Sequence, residues 1–244
     1  MKSDELQIEA THRKVAMMSG MHKMQAGGQA TGPDRSFELL RRFARRPVHN
    51  IEHCELCNAG LPGEHAHLLE MAHGRMVCAC DACVILFSNG TNTKYKRVPR
   101  SVRLLTDFQI SDAEWDGLMI PINLAFFFQN GVDSRVRAYY PSPAGATESL
   151  LSLEAWSQIV ERNLILSALE PDVEALLVNR VEVARNVAAG EYYIVPIDTC
   201  YRLVGLIRLD WRGLSGGTEV WQQIGSFFSD LRSNAETIAE PRHA

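Results

Sequence analysis

Cys54, Cys57, Cys80 and Cys83 form two Cys-x-x-Cys pairs with 22 residues between them. A close pair lets one tight turn present two thiolates, and two such turns complete a tetrahedron of sulfur around a metal such as zinc, at about 2.3 Å. The spacing is that of a four-cysteine zinc ribbon or treble clef, and it predicts a bound metal rather than a reaction. Zinc held by four thiolates has no open position for a water nucleophile, so it would brace the fold. The same sulfur set also holds iron or an iron-sulfur cluster, which makes electron transfer an alternative reading. Cys78 and the histidines His53, His65, His67 and His73 share this stretch. Of these, Cys78 and His67 are the alternates for a ligand position.

Two other patterns carry less. Gly213-Leu214-Ser215-Gly216-Gly217 fits the G-x-S-x-G nucleophile elbow. A hydrolase triad still needs an acid and a histidine after the serine, and only His243 follows it. The run reads instead as a turn whose glycines permit positive φ, ahead of a helix capped by Thr218. With Arg212 beside it, such a helix start also suits an anion. Cys200 has no basic neighbour to lower its pKa and reads as a buried structural thiol. Tyr139, Tyr140, Trp211 and Trp221 read as core rather than as a partner groove. No nucleophile, base and orienting group can be assembled, so no catalytic residue is assigned and a non-enzymatic role is expected.

The elements that position the cysteines follow from local pattern. Ser36 to Arg46 reads as a short helix with Phe37, Leu40 and Phe43 on one face, ended by Pro47. Ala66–Glu70 and Arg75–Cys78 read as strands around a His73-Gly74 turn, and Val84–Phe87 as the opening of a helix. That order is knuckle, hairpin, knuckle, helix. Lys94 to Arg103 reads as a basic connector. Ser111 and Glu114 match a capping box. Ile120–Phe128 and Val136–Tyr140 read as a hairpin through Asn130-Gly131, where positive φ is expected. Pro141–Ser149 reads as a loop, Ser152–Arg162 as a helix, and a second helix is expected from Pro171 through Val173, Leu176 and Leu177. Glu191–Ile197 and Tyr201–Trp211 read as strands, and Thr218–Leu231 as an amphipathic helix. Hairpin strands with separate helices predict an α+β fold: a small four-cysteine module, then a mainly antiparallel sheet packed with helices.

Composition bounds the class. The chain has 244 residues, 46% hydrophobic and 22% charged, as in ordinary globular proteins. No apolar run approaches the roughly 18 residues of a membrane span. Residues 1–35 lack an apolar signal segment and read as a disordered leader. Residues 36–98 are expected to hold the helix and metal module, 99–232 the α+β domain, and 233–244 a disordered tail. Without an export signal the expected compartment is the cytoplasm, where paired thiols serve as ligands rather than disulfides. The net charge of −4 conceals a split, with residues 35–103 at +5 and 104–244 at −9. The basic part can meet nucleic acid, a protein, or the acidic half of its own chain. Nucleic-acid binding through Lys94, Lys96, Arg97, Arg100 and Arg103 is therefore a further alternative.

Longer strings add a resemblance. CELC at Cys54–Cys57, CACDAC at Cys78–Cys83, YPSPAGATES at Tyr140–Ser149 and PDVEALLVNR at Pro171–Arg180 are similar to an uncharacterised bacterial family of unknown function. VPIDTCYRLVGLIR at Val195–Arg208 and WRGLSGG at Trp211–Gly217 extend the likeness, which covers residues 36–232. That family is associated with gene clusters of high-affinity [NiFe] uptake hydrogenases. The resemblance implies an accessory protein that assembles, matures or supports a hydrogenase by binding a subunit or another maturation factor.

Overall fold

Gly74 takes φ 60°, a conformation open to glycine at no steric cost, and closes the hairpin between β1 (Ala66–Glu70) and β2 (Arg75–Ala79). The register sets His67 opposite Cys78 and Glu70 opposite Arg75. A computed structural model describes residues 51–88, 94–150, 153–181, 190–213 and 215–238, all within the unit Asn50–Ala244. The leader and the helix expected at Ser36 to Arg46 lie outside the described residues.

The stretch expected as a basic connector is instead structural. Its residues Tyr95–Arg97 form β3, which pairs with β1 to give a three-stranded sheet in the order β2-β1-β3. Helix α1 (Asp81–Ser88) starts within the second cysteine pair, with Cys80 just before it and Cys83 in its first turn. Leu61, Leu68, Val77, Val84 and Tyr95 fill a small core here together with Cys54 and Cys83.

The larger sheet contains β4 (Arg103–Leu105), β5 (Leu124–Gln129), β6 (Val136–Ser142), β7 (Gly145–Glu148), β8 (Glu174–Asn179), β9 (Glu191–Pro196) and β10 (Glu236–Ile238). Its order is β10-β4-β9-β8-β5-β6-β7, antiparallel throughout except for the β10–β4 pair. Helices cover both faces. On one face α4 (Ile197–Asp210) and α5 (Gly217–Asn234) bury Leu203, Ile207, Ile224 and Phe228 against Phe126, Leu177 and Tyr193. On the other, α2 (Asp112–Gly117), α3 (Leu153–Arg162) and a 3-10 turn (Leu164–Ala168) bury Trp115, Trp156 and Leu166 against Phe127, Leu176 and Ile194. Leu69 and Val98 belong to the first of these cores, so the small sheet and the large one share apolar packing.

Several expectations are corrected. The segment after Pro171 is strand β8, not a helix. It lies near the middle of the sheet, where Ala175 and Leu177 face one core while Leu176 and Val178 face the other. A strand buried on both faces loses its alternation and reads like a buried helix. Tyr201–Trp211, expected as a strand, falls almost wholly in helix α4. Its buried residues Cys200, Leu203, Val204 and Ile207 follow the helical period, and only Trp211 lies beyond the helix. The expected Pro141–Ser149 loop contains the end of β6 and all of β7. In the β5–β6 connection the left-handed residue is Ser134, at φ 54°, rather than Asn130 or Gly131. Asn130 acts there through its side-chain oxygen, which accepts from the backbone of Val132 at 2.9 Å. The α5 helix starts from Gly216 in a left-handed conformation, with no side-chain cap from Thr218. Residues 233–238, expected within the tail, complete α5 and form β10. The capping box at Ser111 and Glu114 is present in full.

Lys96 and Arg103 pair with carboxylates of the acidic part, whereas Lys94 and Arg100 pair with carboxylates of the basic part itself. Lys94 pairs with Glu70 at 3.1 Å, Arg100 with Asp81 at 3.9 Å and Arg103 with Glu174 at 2.6 Å. Lys96 pairs with Glu170 at 3.3 Å and donates to the Pro171 carbonyl at 2.7 Å.

Candidate metal centre

The first cysteine pair sits on a turn tied by its own backbone. The Cys54 amide donates to Ala59 O at 2.8 Å and the Asn58 amide to Cys54 O at 2.7 Å, with Asn58 left-handed at φ 62°. Asparagine tolerates that region better than most residues, which permits so tight a turn. Glu55 then fastens the turn to β2. Its amide donates to Cys78 O at 2.9 Å, its Oε1 accepts from the Cys78 amide at 2.9 Å, and its Oε2 accepts from Arg75 Nη1 at 2.6 Å. The second pair flanks the start of α1, where the Val84 amide donates to Cys80 O at 3.0 Å. The β1–β2 hairpin brings the two turns together.

The four sulfur atoms of Cys54, Cys57, Cys80 and Cys83 all lie within 4.8 Å of one another. Cys57 Sγ and Cys80 Sγ are 3.7 Å apart. A sulfur tetrahedron with metal–sulfur bonds of about 2.3 Å has edges of about 3.8 Å, so this separation fits a shared metal ion. Cys54 and Cys83 are buried, Cys80 is half-buried and Cys57 is exposed. All six cysteines of the chain are free thiols. The arrangement can hold a thiophilic metal.

The local field prepares this site unevenly. Burial raises the Cys54 thiol, but hydrogen bonds from the Cys80, Leu56 and Cys57 amides outweigh it and bring the pKa down to about 6. Burial pushes Cys83 well up, and the three neighbouring thiols add to the rise. The amide donors around Cys54 favour its thiolate, whereas nothing offsets the burial of Cys83. A metal held by the four sulfurs would supply the positive charge that favours the ionised thiols.

Cys78 and His67, the alternates, fall in a second group. The ligand atoms of His65, His67 and Cys78 lie within 4.8 Å of one another, apart from the four-cysteine cluster. His67 Nδ1 donates to Asp198 Oδ2 at 2.8 Å, a contact spanning 131 residues of sequence. Sequence reasoning noted His65 but gave it no role, and it missed Asp198. The H-x-H spacing on a strand was the available signal for the first, while nothing local marks the second.

The remaining candidates have structural surroundings. Cys200 is fully buried in α4, and burial pushes its thiol far up, away from nucleophilic use. Arg212 donates to the carbonyls of Leu209 at 3.0 Å and Trp211 at 3.2 Å, so its guanidinium is engaged beside the Gly-rich turn. Ser215 contributes its carbonyl to Trp221 Nε1 at 3.0 Å. Among the described residues no helix is long and apolar enough to cross a membrane.

No curated protein and no solved structure matches the chain. Residues 53–235, which include both cysteine turns and nearly all of the large sheet, match the model described as "Family of unknown function (DUF5947)", and the chain belongs to that family.

Proposed function

We propose that this protein is a non-enzymatic accessory factor whose four cysteines hold a structural zinc ion in a treble-clef-like module, and that the loaded module docks a protein partner. The observation carrying this reading is on α1. Ile85, Leu86 and Phe87 are 63%, 71% and 44% exposed, beginning two residues after Cys83 and just past the buried Val84. Three consecutive apolar residues in water are unusual on a surface that serves only solubility. Their helix is anchored by two of the four sulfurs, so metal loading would fix the surface the partner meets.

The resemblance of the sequence makes assembly or maturation of a [NiFe] hydrogenase the first context to test, with a hydrogenase subunit or maturation factor as partner. The internal pairing of Lys94, Lys96, Arg100 and Arg103 favours a protein partner over nucleic acid. Anaerobic purification without a metal-binding tag, followed by metal analysis, should return zinc without a visible chromophore. Iron with a reducible spectrum would replace this reading by the electron-transfer one. Co-purification with hydrogenase components should be lost on L86D substitution while the metal is retained. Undiminished capture by L86D, or no capture by the unsubstituted protein, would overturn docking through α1.

A further inference from the structure

A cleft of about 890 Å³ opens beside the small sheet, lined by His65, His67 and Cys78 and by Asp198 of α4. Its charged lining includes Glu52, Glu64, Asp172 and Asp198 against Arg202, an acidic balance that draws in cations. Two of the buried polar atoms left without a hydrogen-bond partner belong to this lining, His65 Nε2 and Asp172 Oδ2.

The histidine tautomers follow from their partners. His65 Nδ1 is 3.0 Å from the Pro62 carbonyl, which can only accept, so Nδ1 carries a hydrogen, and in the neutral ring Nε2 then carries a lone pair. The His65 side chain is only 6% exposed, so that lone pair is buried with nothing to accept from. Leaving it so is costly, and a metal ion would satisfy it. His67 likewise donates from Nδ1, here to the Asp198 carboxylate, which leaves its Nε2 as the donor atom for a metal. A carboxylate behind a histidine is the usual outer support of a metal ligand, since it fixes the ring and raises its basicity. Cys78 stands opposite His67 on the paired strand, and the rings of His65 and His67 are 4.9 Å apart.

From these contacts we infer that His65, His67 and Cys78 form a second metal site, distinct from the four-cysteine centre and open on its cleft side. Two imidazoles and one thiolate suit a borderline divalent ion of the zinc class. Cys78 releases its thiol proton to solvent as the metal–sulfur bond forms. Three protein ligands leave a fourth tetrahedral position, to be filled by water or by one small donor from the cleft. Asp198 is a positioning residue, acting through His67. The site goes beyond the docking reading and stands whether or not α1 meets a partner.

Cobalt(II) tests this on the full chain, because its d–d and thiolate charge-transfer bands distinguish four sulfurs from two nitrogens and one sulfur. Metal-free protein titrated anaerobically should take up two equivalents. His65→Gln and Cys78→Ser should each take up one, with the four-thiolate bands intact as proof of folding. Asp198→Asn should weaken the second equivalent roughly 10–100-fold. Azide should shift the bands of the second equivalent alone. A single equivalent in the unsubstituted chain, or two in both His65→Gln and Cys78→Ser, overturns the site. Bands unmoved by azide overturn its open position.

Discussion

The four-cysteine cluster and the His65, His67 and Cys78 cluster are built on the same hairpin but completed in different ways. The first takes each of its halves from a turn of four residues, and only the β1–β2 pairing is needed to join them. The second takes its histidines from β1 and the residue preceding it, its sulfur from β2, and its carboxylate support from a helix 131 residues away. One cluster closes around four sulfurs and sits in its own small core. The other faces a cleft also lined by Asp198, Thr199 and Arg202 of α4 and by Phe128 of β5. A metal in the first would stabilise the module, whereas a metal in the second would depend on how the module seats against the rest of the fold.

Replacing one sulfur should give the largest separation between the two. Cys83→Ala removes a buried sulfur of the proposed zinc site, and structural zinc sites in small modules contribute on the order of 10 kcal/mol of apparent binding energy to folding. Amide exchange across β1, β2 and α1 should accelerate to near the unfolded rate while β5, β8 and β9 stay protected. Cys78→Ala should leave both regions protected. Equal loss in both variants would mean that the clusters are one site.

The packing that joins module to sheet should come next. Leu69 lies in β1 yet belongs to the core beneath α4 and α5. Leu69→Ala should cost about 2–5 kcal/mol in urea unfolding, in one transition seen identically by module and sheet probes. Two separated transitions with all four cysteines in place would show that the small sheet unfolds by itself even without loss of a sulfur, and that the His67–Asp198 contact does not couple it to the fold.

This difference also explains what could be read from the sequence. The four cysteines, the hairpin around Gly74, the capping box at Ser111 and the amphipathic α5 are all local signals, legible because turn chemistry and periodicity act within a few residues. The α+β class followed from them. What escaped was set by distant burial. EALLVN at Glu174–Asn179 is apolar on both sides because the sheet is covered on both faces, so its period vanished. The mixed run from Tyr201 to Trp211 contains enough β-branched and aromatic residues to imitate a strand, although its buried positions are helical. Asp198 has no sequence mark at all, since its meaning comes from standing over His67. The DUF5947 match extends over both kinds of feature without assigning either a role.

Charge pairing offers a smaller contrast between the two regions. Arg103, in the large sheet, meets Glu174, whose side chain is 10% exposed, whereas Arg100 meets Asp81 across 3.9 Å at the exposed start of α1. Arg103→Ala strands a buried carboxylate and should cost about 3 kcal/mol. Arg100→Ala should stay within about 0.5 kcal/mol. Urea midpoints of the two variants check the ordering, and a reversed order would place the stabilising cations on the module instead.

Glu55 touches both clusters at once, because it sits inside the first cysteine turn and accepts from the amide of Cys78. That amide holds its carboxyl below the ordinary range, burial opposes the shift, and Arg75 adds to the lowering. A carboxylate with a depressed folded pKa contributes stability that is present above its unfolded value, near 4.5, and is lost as pH falls through the lower folded value. Glu55→Gln cannot ionise, so it should be less stable than the unsubstituted chain at pH 6 and should approach it as the pH drops below about 4. The Glu55 charge also raises the Cys78 thiol, so the comparison is made in a Cys78→Ser background, where the difference in urea midpoints isolates Glu55. The side chain is partly solvated, which keeps the effect near 1 kcal/mol or less. A difference that instead grows on acidification would mean that Glu55 is held by its neutral form, and that the link it makes between the cysteine turn and Cys78 is not a charged one.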